Sequence, residues 1–285
     1  MNITTVGVVG AGSMGSGIAN IAAMSGFNVI LRDIEDKYLE NGLKRIEAFM
    51  DKSVSRGKMT AEQKLETLER IKVTTDLNDM KEADIVIEAV IEDLDLKKEV
   101  FSQLDEIVRE NAILATNTSS MSITVIASAT KRPERVAGLH FFNPAQLMKL
   151  VEVVRGYKTS DDTVNELKAF SKQLNKEAIE VKKDTPGFIV NRIMIPQFIE
   201  AIKLLEEGVA SAEDIDKAVT LGLNYPMGPF TLQDYAGVDI GMHVMEYFKE
   251  EFNDSRFAPP LLIKQLVNAG RLGKKTGAGF YDYDK

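Results

Sequence analysis

Val6-Gly7-Val8-Val9-Gly10-Ala11-Gly12-Ser13-Met14-Gly15 is the stretch that decides how this chain is read. An apolar strand runs straight into a G-x-G-x-x-G turn, and an apolar helical pattern follows from about residue 14 to 24, where Gly26 ends it. In that setting each glycine has a task. Gly10 permits the tight turn, Gly12 lets the backbone approach a pyrophosphate, and Gly15 lets the helix pack closely on the strand. Gly10, Gly12, Ser13, Met14 and Gly15 therefore form a phosphate cradle at a helix N-terminus, where unpaired N–H groups and the positive dipole end favour an anion. Asp33 closes a second strand, read at 27–31, and lies 18 residues after Gly15. Its carboxylate suits the hydroxyls of an adenosine ribose and repels the 2′-phosphate of NADP, so NAD is the expected cofactor. Arg32 beside it keeps NADP open, because it could stack on adenine or pair with that phosphate.

Further strands are expected at 84–90, 112–115 and 136–139, with a helix at 95–109 between the first two. The charged stretch 36–70 reads as two solvent-facing helices broken near Gly57. Strand, helix, strand at this spacing, with nearly continuous apolar strands, implies a parallel sheet covered on both faces. The pattern changes near Asp184-Thr185-Pro186-Gly187. Beyond it only helices are expected: 188–207 with a kink at Pro196 and a stop at Gly208, then 212–221, 238–252 and 260–268. The expectation is thus an α/β chain, with a Rossmann-like, doubly wound, mostly parallel sheet in residues 1–184 and an all-α domain in 185–285.

Composition narrows the function. The 285 residues include 35 basic and 43 acidic side chains, a net charge of −8, no cysteine and two histidines. Thiol nucleophiles, disulfides and cysteine-ligated metals are excluded, and two histidines leave little for a metal centre, so no metal is expected. The acidic balance argues against nucleic-acid and anionic-membrane partners. No segment has the roughly 18 apolar residues of a membrane-spanning helix, and Met1-Asn2-Ile3-Thr4-Thr5 lacks the basic start of a secretory signal. A soluble, cytoplasmic protein is expected.

A second group of residues carries reactive chemistry. His140 follows a strand in Gly138-Leu139-His140-Phe141-Phe142-Asn143-Pro144, and Glu152 lies in the strand-like Val151-Glu152-Val153-Val154. Positions 140 and 152 are symmetric about residue 146, so a hairpin would bring their side chains together. An imidazole held by a carboxylate can exchange a proton with a substrate oxygen, which is the partner chemistry of hydride transfer to a nicotinamide. A packed histidine among aromatics beside a surface glutamate fits the same spacing. Asn117-Thr118-Ser119-Ser120 follows a strand end, where such groups line the ligand crevice of an open parallel sheet, although a serine there also suits a helix N-cap. His243 is read as a core residue.

These segments, together with Pro186-Gly187-Phe188-Ile189-Val190-Asn191-Arg192, Tyr225-Pro226-Met227-Gly228-Pro229 and Gly273-Lys274-Lys275-Thr276-Gly277, resemble the L-3-hydroxyacyl-CoA dehydrogenases, in their short single-function form, over nearly the whole chain. The resemblance implies reversible oxidation of (S)-3-hydroxybutyryl-CoA to acetoacetyl-CoA with NAD, in fatty-acid and butyrate metabolism. It makes His140 the catalytic acid/base and Glu152 the carboxylate that orients it. Ser119 and Asn191 would contact substrate oxygens. Glu92 and Lys97 would lie by the nicotinamide ribose, Asn117 is counted with the cofactor contacts, and Lys275 would reach the cofactor. Lys52, Arg56 and Lys58 are the candidates for the CoA phosphates, although lysines and arginines on such a helix are commonly just solvated. The helical domain would close over the substrate and form a homodimer. Two other classes stay open: a dehydrogenase of small free hydroxy acids, whose catalytic-lysine motif has no counterpart here, and a non-catalytic NADH-binding protein, which would lack His140 or Glu152.

Overall fold

A computed structural model describes residues 3–283, and they fall into two compact units that divide after Thr185. The first is built on a sheet of order β3-β2-β1-β4-β5-β6-β7-β8. Chain order is β1 (Thr5–Val9), α1 (Ser13–Met24), β2 (Asn28–Arg32), α2 (Asp36–Ser55), α3 (Ala61–Glu69), β3 (Ile71–Thr74), β4 (Ile85–Glu88), α4 (Leu94–Ile107), β5 (Ile113–Thr116), α5 (Ile123–Ala127), β6 (Val136–Phe141), β7 (Leu150–Arg155), α6 (Asp161–Gln173) and β8 (Glu177–Val181). Every pair is parallel except β6–β7. Strand order reverses between β1 and β4, which opens a crevice at the carboxyl ends of the central strands.

The strands are apolar on both faces because helices cover both. Ile85, Ile87, Ile113 and Ala115 face a core closed by α1, α2 and α6, whereas Val86, Leu114 and Val136 face one closed by α4 and α5. A parallel sheet of this kind suppresses alternation in its middle strands and keeps it at its edges. Edge strands β3, with Lys72 in IKVT, and β8, with two glutamates in EAIEV, carry charge that hides them from a search for apolar runs. Neither strand was expected from the sequence, and nor were α5, α6 and, in the second unit, Pro229–Ala236.

That second unit is helical, as expected: α7 (Val190–Glu206), α8 (Ala212–Gly222), α9 (Pro229–Ala236), α10 (Val238–Phe252) and α11 (Leu261–Asn268). Helix α7 continues through Pro196. Its core is formed by Ile195, Phe198, Ile199 and Ile202 of α7 with Phe230, Met245 and Phe248. His243 corrects one expectation. It is exposed, because the core stripe of α10 runs through Val238, Met245 and Phe248 and leaves position 243 off that face.

Candidate active site

At the end of β1 the glycine turn has the geometry its sequence requires. Gly10 has φ +105°, and its N–H donates to the Arg32 carbonyl at 2.8 Å. A methyl group on Gly15 would stand 1.7 Å from the Gly10 carbonyl oxygen, so helix and turn touch there. A methyl on Gly12 would meet nothing within 4 Å. That open cradle at the start of α1 fits a pyrophosphate, and the residues around it fit NAD. Asp33 Oδ2 accepts the Ala11 N–H at 2.6 Å, and Oδ1 accepts the Ile34 N–H at 2.7 Å. Arg45 of α2, which sequence reading did not single out, donates to the Ala11 carbonyl at 2.8 Å. Arg32 turns to the Thr75 carbonyl at 3.3 Å.

His140 and Glu152 are directly paired across the antiparallel β6–β7 ladder. Nδ1 of His140 lies 2.7 Å from Oε2 of Glu152, and the side chains are only 6% and 0% exposed. A carboxylate can only accept, so Nδ1–H donates and proton exchange with a substrate oxygen falls to Nε2. Phe142 packs against the imidazole with ring centres 4.5 Å apart and the planes tilted by 52°. Asn117, at the end of β5, accepts the Phe141 N–H through Oδ1 at 2.9 Å and so ties the β5 loop to the histidine strand.

Between these two groups lies a charged network at the ends of β4 and β5. Lys97 of α4 is 1% exposed. Its Nζ donates to Glu88 Oε1 at 2.7 Å and to Glu92 Oε2 at 3.1 Å. Burial pulls the Lys97 ammonium down, but the charges and hydrogen bonds of Glu88 and Glu92 outweigh it and hold its pKa above the ordinary lysine value. Glu92 also accepts the Thr118 hydroxyl and the Ser119 N–H, so Ser119 is placed by the same network. Glu88 and Thr116 were missed in the sequence, whereas Thr118 lies in the segment 117–120 that was read as lining the crevice. The available signal was a charge ending the otherwise apolar run Ile85-Val86-Ile87-Glu88. Ser119 and Ser120 do not cap a helix. Ser122 does, accepting the Val125 N–H at 3.3 Å, and its own hydroxyl donates to Asp184 at 2.7 Å.

The carboxyl ends of β1, β4, β5 and β6, neighbours in the sheet, thus bring together the glycine turn, Glu92, Lys97, Asn117, Ser119, His140 and Glu152. Lys52, Arg56 and Lys58 are exposed, at the end of α2 and in the turn after it. Asn191 and Lys275 belong to the helical unit. Asn191 stands in the first turn of α7, and Lys275 pairs with Asp239 at 2.6 Å. Among the described residues no cluster of His, Cys, Asp or Glu is suited to hold a metal ion.

An NAD-type cradle at the end of β1, with a buried His–Glu pair three strands along the same sheet, narrows the field to hydride-transfer enzymes. Two family models cover almost the whole chain: the NAD-binding domain of 3-hydroxyacyl-CoA dehydrogenase matches residues 5–185, and its C-terminal domain matches 187–283. The chain belongs to the 3-hydroxyacyl-CoA dehydrogenase family. It is 45% identical to the 3-hydroxybutyryl-CoA dehydrogenase of Clostridioides difficile, over 98% of this chain and 99% of that one. It is 46% identical to the 3-hydroxyadipyl-CoA dehydrogenase of Escherichia coli, over 99% of this chain and 60% of that one. The crystal structure of (S)-3-hydroxybutyryl-CoA dehydrogenase from Ralstonia eutropha superposes with a TM-score of 0.95 at 47% identity, over the full length of both chains. The first unit of this dehydrogenase is accordingly its NAD-binding domain.

Proposed function

We propose that the chain catalyses the reversible, NAD-dependent oxidation of (S)-3-hydroxybutyryl-CoA to acetoacetyl-CoA, and that His140 is its acid/base. The observation that carries this reading is the 2.7 Å contact between His140 Nδ1 and a fully buried Glu152, on the same sheet as the NAD cradle. NAD, when bound, accepts the hydride that leaves C3 of the substrate. His140 Nε2 takes the C3 hydroxyl proton as the carbonyl forms, and in the reverse direction returns it to the oxygen. Glu152 fixes the tautomer and offers a full negative charge when both ring nitrogens carry protons, the division of labour found in a Ser-His-Asp triad. Ser119, placed by Glu92, and Asn191 hold the substrate's oxygens. Asp33, Glu92, Lys97, Asn117 and Lys275 hold the cofactor, and Lys52, Arg56 and Lys58 meet the CoA phosphates.

The reading extends to a homodimer through the helical unit. It is supported by an apolar groove lined by Ile193, Met194, Leu223, Tyr225 and Met227, in which Ile193 and Leu223 are well exposed. No helix is long and apolar enough to cross a membrane among the described residues. The reading also places the enzyme in the cytoplasm, in fatty-acid and butyrate metabolism.

One assay tests the reaction: acetoacetyl-CoA and 3-oxoadipyl-CoA, each with NADH or NADPH, followed by loss of nicotinamide absorbance. Turnover with acetoacetyl-CoA and NADH is expected, and none with either cofactor would overturn the reading. His140→Gln should bind NADH normally and lose at least about a hundredfold in kcat, the usual contribution of a positioned acid/base. Near-normal turnover in that variant would remove the assigned role.

A further inference from the structure

Glu88 is a buried carboxylate that the proposed chemistry does not use. It is fully buried at the carboxyl end of β4, and three donors hold it: Lys97 Nζ at 2.7 Å, the Val90 N–H at 2.8 Å and the Thr116 hydroxyl at 2.7 Å. A buried carboxylate is costly unless its lone pairs are satisfied, and these bonds come from three separate places: helix α4, the β4–α4 loop and strand β5. Glu88 is therefore held from three directions. Glu92, by contrast, has a side chain 40% exposed to solvent.

Lys97 is suspended between the fully buried carboxylate and the partly exposed one. Its ammonium is sealed from water, so its position follows from which of the two holds it more strongly, and the shorter contact is to Glu88. We propose that Glu88 is a positioning residue for the cofactor: through Lys97 it sets where Glu92 stands, and thereby the site for the nicotinamide ribose and the loop carrying Ser119. This rests on the NAD-dehydrogenase reading and goes beyond it, because no role falls to Glu88 there. The physical step is charge balance. Two carboxylates and one ammonium leave one net negative charge, which Glu92 presents at the rim to hydroxyl donors. Without the charge on Glu88, a buried ammonium keeps a single counter-ion and draws Glu92 inward, away from Thr118 and the Ser119 N–H.

Glu88→Gln is nearly isosteric; it removes the charge and turns one acceptor oxygen into an NH2 donor, which the Thr116 hydroxyl can meet by accepting. NADH binding to the full chain, followed by nicotinamide fluorescence, should weaken at least about tenfold. With NADH saturating, kcat should fall by less than the affinity for NADH does, the loss coming through the loop that carries Ser119. The double variant Glu88→Gln/Glu92→Gln should bind NADH about as weakly as the weaker single variant, because the two residues act through one lysine. A dissociation constant for Glu88→Gln within twofold of the unmodified enzyme would overturn the proposal, as would single effects that simply multiply in the double variant. Should Glu88→Gln fail to fold, Thr116→Val carries the test: it frees one carboxylate oxygen of Glu88 and removes the acceptor of the Thr118 N–H, so NADH binding should weaken at least threefold, and unchanged binding overturns the proposal. Absence of NADH binding by the unmodified enzyme would instead defeat the NAD reading, so the two failures are distinguishable.

Discussion

A histidine does acid/base work only when its ring is held, and here the holding group is Glu152 on the neighbouring strand. Glu152→Gln keeps the side chain's shape and can still accept a bond from Nδ1–H through its amide oxygen. It removes the charge, however, and lets the amide NH2 compete for Nδ1 and select the wrong tautomer. The variant should lose at least about a hundredfold in kcat while KM for NADH stays within about threefold, since Glu152 belongs to the β6–β7 hairpin and not to the glycine turn. Steady-state kinetics with both substrates varied checks this, and equal losses in kcat and in NADH affinity would contradict the assignment. This pair was legible in the sequence because a β ladder turns the numbering of a hairpin into pairing, and 140 and 152 are symmetric about one turn. The Glu88–Lys97–Glu92 network was legible only in part. Its members come from a strand end, a loop and a helix, and no periodicity links residues whose contact depends on where a crossover helix lands.

At the scale of elements, β1, the turn and α1 form one working part in which two glycines fail differently. Gly15→Ala places a methyl 1.7 Å from the Gly10 carbonyl oxygen, a backbone atom that cannot yield without moving strand or helix. It should cost at least about 2 kcal/mol of stability, the scale of an overpacked core site, and abolish tight NADH binding. Gly12→Ala meets nothing in the protein. It should leave stability within about 1 kcal/mol, as expected for a change at a helix N-cap, while weakening NADH binding at least about tenfold by filling the cradle. Urea unfolding and NADH titration of both variants separate the effects, and equal stability losses would show that Gly12 serves packing too. The elements that could be read from sequence were those whose environment is uniform. Strands β1, β4 and β5 are buried on both faces and read as apolar runs, whereas edge strands β3 and β8 carry lysine and glutamate and show no such run. Helix α9 escaped because its eight residues follow Pro226-Met227-Gly228 and are too few for a clear period.

For the whole molecule, the two units have separate cores, and the helical one is closed by an unusual polar clasp. Asp216 accepts the N–H groups of Phe230 and Thr231 and the hydroxyls of Thr231 and Tyr281. Asp234 accepts the N–H groups of Phe280 and Tyr281 and the hydroxyl of Tyr283. Two largely buried carboxylates thereby fasten the segment 280–283 to α8 and α9. Burial first, then the neighbouring Asp216 and Asp234, push the phenols of Tyr281 and Tyr283 well above the ordinary tyrosine value. In the unfolded chain a tyrosine ionises near pH 10, whereas in the folded chain these two keep their protons, so unfolding releases protons above that pH. Their contribution to stability is whole below about pH 10 and falls as pH rises beyond it. Replacing both by phenylalanine should cost about 1–2 kcal/mol at pH 8 through two lost hydrogen bonds, and should make the loss of stability between pH 10 and 11 shallower than in the unmodified chain. Chemical denaturation across pH 8 to 11 measures both terms. Parallel alkaline losses in the two proteins would mean that other groups carry the titration and that the clasp closes the helical unit without setting its upper pH limit.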